Sequence, residues 1–193
     1  MRKLGLLLFF ALTVGFMQGC AQPKQIAPEP KCLSGTDLEA AMKASEFTLV
    51  KMNFVIDKSD ANLAVMTTKP LTGAQFFEFW RKDNVGRYNT AFSSIHTLRR
   101  TVELGFTPGQ GQTCIVCKVK TEMLSIPEKE IDSAGRAYSM FSKSDDTELN
   151  LALNEEQRKK MDWIDMGRDN LLEKSILDRI EKQILKTTIK NNK

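Results

Sequence analysis

The chain predicts an α+β fold: a two-layer sandwich in which a four-stranded antiparallel sheet carries an N-terminal helix and a long C-terminal helix, in the order αββββα. Three observations lead there. Apolar and polar residues alternate along 94–106 and 112–124, the period of a half-buried strand. The turn Pro108-Gly109-Gln110-Gly111 lies between them and returns the chain, so the two stretches pair as antiparallel neighbours. Farther on, Leu172, Ile176, Ile180 and Ile184 recur every four residues, the period of a helix with one buried face.

Taken in order, Gln22 to Lys31 holds Pro23, Pro28 and Pro30 among polar residues, a composition that favours an extended tether. Such a segment spans about 30 Å at roughly 3 Å per residue. Ser34 or Thr36 can cap a helix reaching Ser45, with Asp37 and Glu39 in a first turn where the dipole favours anions. Leu38, Ala41, Met42 and Ser45 lie on one side of it. The period then becomes alternating: Thr48, Val50, Met52, Phe54 and Ile56 share a strand face, Lys58-Ser59-Asp60 turns, and a strand from Leu63 to Thr68 completes a hairpin. The third strand, Ser94 to Phe106, places His96, Leu98, Arg100, Val102, Leu104 and Phe106 together. The fourth, Gln112 to Leu124, turns Ile115, Cys117, Val119, Thr121 and Met123 inward. Pro127 ends the sheet region, and Ser142 to Asn150 reads as a polar, mobile surface loop. A short helix is expected around Glu155 to Met161, ahead of Trp163. In the last helix Leu177 and Leu185 stand beside the stripe, with Asp169 at its start and Lys186 and Lys190 near its end, as the dipole prefers.

The first twenty residues carry most of the functional information. Arg2 and Lys3 precede an apolar run from Leu4 to Met17, followed by Gln18, Gly19 and Cys20, the pattern of an export signal. As a helix that run covers roughly 21 Å, short of the roughly 30 Å hydrocarbon core, so it does not read as a permanent membrane span. Ending on Gly-Cys, it resembles the lipobox of bacterial lipoproteins, in which the cysteine sulfur is lipidated and becomes the first residue of the mature chain. The resemblance implies a cleaved signal at 1–19, a lipidated tether at 20–33 and one domain at 34–190. It also implies a bacterial envelope protein, and Ala21 rather than Asp after the cysteine fits the outer membrane facing the periplasm. Acyl chains at about 0.8 kcal/mol per buried methylene would make that anchoring practically irreversible.

Removing residues 1–19 takes Arg2 and Lys3 from the 28 basic residues, leaving 26 against 24 acidic ones, a net charge of +2. Such a balance, with no clustered basic face, argues against a nucleic-acid partner. The mature part is long enough for one domain with its own core. An exported compartment permits disulfides, and beyond Cys20 there are three cysteines, so one thiol is left over. Cys32 can bridge to Cys114 or to Cys117 and pin the tether to the sheet. Cys114 and Cys117 lie three apart on a strand and point to opposite faces, which suits neither a redox pair nor half of a zinc site; Cys117 reads as a small buried hydrophobe. A metal site would have to recruit His96, the only histidine, which shares the face of Leu98 and Val102.

No catalytic constellation, phosphate loop, dinucleotide fingerprint or metal-binding helix motif is legible, and no cofactor beyond the lipid on Cys20 is expected. Glu128 with Glu130, and Asp145 with Asp146, read as solvated charge. Two binding surfaces can be named. Lys51, Arg99, Lys118 and Lys120 emerge opposite the apolar sheet face, where they could form a basic stripe for an anionic lipid or glycan. Phe76, Phe79 and Trp80, with Phe77 beside them, supply either core or a partner surface next to Arg81. The chain thus reads as a non-catalytic envelope lipoprotein with a structural or assembly role, docking to another envelope protein. A basic binding module is the alternative, and a site on His96 and Cys117 the third reading. In element order and lipid signal the chain is similar to small lipopolysaccharide-assembly lipoproteins, a likeness with no motif that carries over binding residues.

Overall fold

The computed structural model describes residues 26–74, 78, 80–125 and 161–191. The expected signal segment 1–19, Cys20, Phe76, Phe77, Phe79, the 142–150 segment and all but the end of the expected 155–161 helix lie outside them. The chain is α+β with an antiparallel sheet, an N-terminal helix and a C-terminal helix. The sheet has seven strands, not four: β1 (Lys31–Ser34), β2 (Ile56–Asp60), β3 (Val65–Thr68), β4 (Leu71–Thr72), β5 (Leu98–Gly109), β6 (Gln112–Ser125) and β7 (Asp162–Arg168). Among the described residues the helices are α1 (Leu38–Lys51), α2 (Arg87–Ile95) and α3 (Asn170–Asn191).

Two long strands form the frame and four short ones border it. β5 and β6 pair from Leu98↔Met123 to Gly109↔Gln112. On its free edge β5 takes β4 at residues 99–100 and β3 at residues 103–105, and β2 extends the sheet beyond β3. On the other side β6 takes β1 at residues 112–115 and β7 at residues 120–125. The alternation drives this directly: Leu98, Val102, Leu104 and Phe106 of β5 and Ile115, Cys117 and Val119 of β6 are buried on one face. Against them pack α1, through Ala41, Met42, Ala44 and Leu49, and α3, through Leu172, Ile176, Leu177, Ile180 and Ile184.

Three expected elements are corrected. The first helix does not stop at Ser45 but continues to Lys51, so Thr48 and Val50 are helical and the expected strand 48–56 begins only at Ile56. Its cap is neither Ser34 nor Thr36: Asp37 accepts from the Ala40 N–H at 2.8 Å. Residues 38–52 fit both periods, and the helical set Ala41, Ser45, Thr48, Leu49 and Met52 is the one that packs, leaving Phe47 and Val50 exposed. Asn53 then supplies the left-handed residue that ends the helix, φ 70°, with Phe54 N–H on Leu49 C=O and Asn53 N–H on Val50 C=O. The hairpin consequently forms one turn later: Lys58-Ser59-Asp60 lies within β2, and Asp60 receives the turn amides of Asn62 and Leu63. Finally, the strand expected from Ser94 starts at Leu98, because Ser94 and Ile95 close α2 and His96 caps it.

Candidate functional site

The segment that precedes the first helix enters the fold as the edge strand β1. Lys31 places its ammonium 2.9 Å from both Asp178 and Glu181 on α3, and those hydrogen bonds hold its pKa above the usual lysine value. Cys32 is opposite Cys114 in the register, and a disulfide joins the two. Beyond it the Gly35 N–H donates to Gly111 C=O and the Thr113 hydroxyl to Thr36 C=O, both at 2.8 Å. The proposed 20–33 tether therefore overlaps the sheet from Lys31 onward. Cys117, three positions further and on the opposite face, is a buried thiol, its pKa pushed up by burial first and by the Glu173 carboxylate second.

Of the expected basic stripe, Arg99, Lys118 and Lys120 share the outer face of β5 and β6 with acidic neighbours, and Lys51 does not join them. Lys51 ends α1, its ammonium 5.9 Å from the Phe47 ring centroid, and so lies off the sheet. Arg99 is directly opposite Glu122, bonded to it at 2.7 Å, and stacks 3.9 Å from the Trp163 ring of β7. Lys120 donates to the other Glu122 oxygen at 2.9 Å and approaches Asp165 at 4.0 Å. The bond to Glu122 raises the Lys120 pKa, while Arg99 first and Lys120 second lower that of Glu122. Lys118 is exposed and opposite Glu103. This face alternates in sign, as cross-strand pairs usually do.

In the expected aromatic surface Trp80 is exposed, and Arg81 turns inward, gripping Asp83 through two 2.9 Å bonds and reaching Glu78 at 3.2 Å. Asp83 in turn accepts from the Ala74 N–H at 3.1 Å. His96 tilts against Phe92, ring centroids 4.5 Å apart. Leu98 pairs with Met123, six positions along β6 from Cys117, which puts Leu98 about 20 Å from Cys117 at roughly 3.3 Å per residue, and His96 precedes Leu98 at the end of α2. Among the described residues no group of three His, Cys, Asp or Glu side chains is placed to hold a metal ion.

What the fold does assemble is an ion-paired junction at the start of α3. Arg100, the largest fully buried side chain among the described residues, donates to Asp169 at 3.1 Å and to the side-chain amide oxygen of Asn84 at 2.7 Å. Asp169 also accepts from Asn89 at 3.1 and 3.2 Å and from the Leu172 N–H at 3.1 Å, so one carboxylate caps the helix and neutralises the arginine. Gly73 makes room: a Cβ there would stand 2.9 Å from the Arg100 guanidinium.

A second pair closes the sheet edge. Between β1 and β7 the β6 edge lacks a strand, and buried backbone groups there need partners. The Glu173 carboxylate accepts from the Val119 N–H at 2.9 Å and the Asp169 N–H donates to Val119 C=O at 3.0 Å. Arg168 holds Glu173 by two 2.8 Å bonds, which raise the arginine pKa, and reaches the Cys117 carbonyl at 3.4 Å. The junction borders a cavity of about 120 Å³ lined by Tyr88, Asn89, Phe92, Arg100 and Thr121, among others, room for a few waters at about 30 Å³ each. Sequence reasoning passed over these charges. Arg100 standing within an apolar alternation, and Glu173 on the buried side of the α3 stripe, were the signals that could have found them.

Comparison with known proteins matches this chain to no family model and to no curated sequence.

Proposed function

We propose that the protein is a non-catalytic lipoprotein of the bacterial envelope, held by acyl chains on Cys20 and acting as a structural or assembly factor that docks to another envelope protein. The observation that carries this reading is the treatment of the segment following the anchor. Instead of leading loosely into the domain, it becomes β1, cross-linked by Cys32–Cys114 and ion-paired by Lys31 to α3. That leaves only residues 21–30 between Cys20 and the sheet, a tether of about 30 Å at roughly 3 Å per residue that would keep the domain close to the membrane, which suits a scaffold more than a freely diffusing enzyme. The disulfide also suits an oxidising compartment, such as the periplasmic side of the outer membrane.

The alternative, an anionic-ligand module on the sheet, receives less support. Lys51 is elsewhere, and a ligand for Arg99 and Lys120 would have to displace Glu122. A Cys/His site would have to bring together two residues that the β5–β6 register separates.

Palmitate labelling of cells producing the full chain tests the anchor: incorporation is expected in the parent and absent from Cys20→Ser, and equal incorporation would discard it. Crosslinking in intact cells tests the docking. One membrane protein should co-purify stoichiometrically, and recovery of the lipoprotein alone would count against a scaffold.

A further inference from the structure

Arg99 and Lys120 on the sheet face are ion-paired, whereas among the described residues Lys182 and Lys186 toward the far end of α3 are not. From Lys182 onward the sequence holds Lys182, Lys186, Lys190 and Lys193 and no acidic residue. Ile184 is the last buried residue of α3, so the helix runs on beyond the core to Asn191. Lys182, Leu185, Lys186 and Ile189 follow the spacing i, i+3, i+4, i+7, which at about 100° per residue confines them to an arc of roughly 100° on one side. Leu185 is 57% exposed and Ile189 63%, and both lysines are exposed. Among the described residues neither lysine is in an ion pair, in contrast to Arg99 and Lys120. Thr187 and Thr188 turn their hydroxyls back onto the carbonyls of Gln183 and Ile184, at 3.0 and 3.1 Å, which hides the polarity of this turn.

We infer that this end of α3 is an interfacial contact for an anionic phospholipid bilayer, with Leu185 and Ile189 entering the headgroup boundary and Lys182 and Lys186 meeting phosphates. The charge selects the occupant. An apolar pair beside Lys182 and Lys186 attracts a surface of dense negative charge, and the acidic residue one turn before Leu185, Glu181, is already paired with Lys31 at 2.9 Å. The bilayer contact stands on the helix alone and does not depend on lipidation of Cys20.

Co-sedimentation with vesicles tests this on the processed chain, residues 20–193 carrying Cys20→Ser, so that acyl chains cannot contribute. Vesicles of 30% phosphatidylglycerol in phosphatidylcholine should pellet the protein, pure phosphatidylcholine should not, and added salt should release it. At about fivefold per lysine near a charged surface, K182E/K186E should weaken binding by about thirtyfold or more. L185S/I189S should weaken it with little change in its salt dependence, and K118E/K120E on the sheet should leave it unaltered. All the substituted side chains are exposed, and an unchanged circular dichroism melt verifies the fold. Unaltered pelleting of K182E/K186E, equal pelleting with neutral vesicles, or loss in K118E/K120E alone overturns the inference. Because the protein tested carries no lipid, its failure leaves the anchor at Cys20 untouched, and loss of palmitate labelling leaves this contact standing.

Discussion

Replacing Asp169 by alanine would strand the Arg100 guanidinium inside the domain, remove two Asn89 bonds and uncap α3 in one step. Breaking one partner of a buried pair costs about 3–5 kcal/mol, so Asp169→Ala should shift the urea midpoint sharply, and a shift worth less than about 1 kcal/mol would show that the pair is dispensable. Glu122 makes a pH-dependent contribution at the surface. Arg99 and Lys120 hold its pKa below the ordinary 4.5, so its share of stability is complete above that value and is lost as pH falls through the lowered one. Between neutrality and pH 3, Glu122→Gln should therefore have a flatter stability profile than the parent in thermal melts; parallel profiles would remove the residue from that account. At this scale sequence legibility was uneven. The inward positions of β6 followed from alternation, but Arg100 was read only as a member of an apolar face. Its neutraliser lies 69 residues away, and no local pattern announces such a pairing.

At the scale of elements, the period of a short segment leaves room for two answers. Residues 48–56 alternate well enough for a strand, yet 41–52 also satisfy a helix, and contact with α3 and β5 decided between them. Asn53 is the stop signal that the alternation concealed. Asn53→Ala should destabilise by about 1 kcal/mol, because alanine tolerates the left-handed region poorly, whereas Asn53→Gly should be neutral or better. Chemical denaturation of both variants tests the assignment, which requires that order. The long strands, the turn between them and the α3 stripe were legible since each has enough repeats to make its period unambiguous. β1, β4 and β7 were not: two to seven residues long, they are strands only because β5 and β6 offer them open edges.

For the whole molecule the important constraint is the Cys32–Cys114 bond, which spans 82 residues and ties the edge strand β1 to β6 in the sheet. Cross-links over spans of this length contribute about 2–4 kcal/mol, so Cys32→Ser/Cys114→Ser should unfold at correspondingly lower denaturant. Thiol titration of the denatured processed chain with Cys20→Ser should find one thiol without reductant and three with it; three in both conditions would exclude the bond. Sequence by itself determined the helical and strand periods, the turn at 108–111, the export pattern and the presence of one thiol too many, all properties of residues near one another in the chain. Tertiary structure alone decided that Cys32 takes Cys114, that Arg100 meets Asp169, and that Glu173 fills the gap between β1 and β7. These are contacts between distant segments, chosen by which buried charge or open backbone group lacked a partner once the local elements had packed.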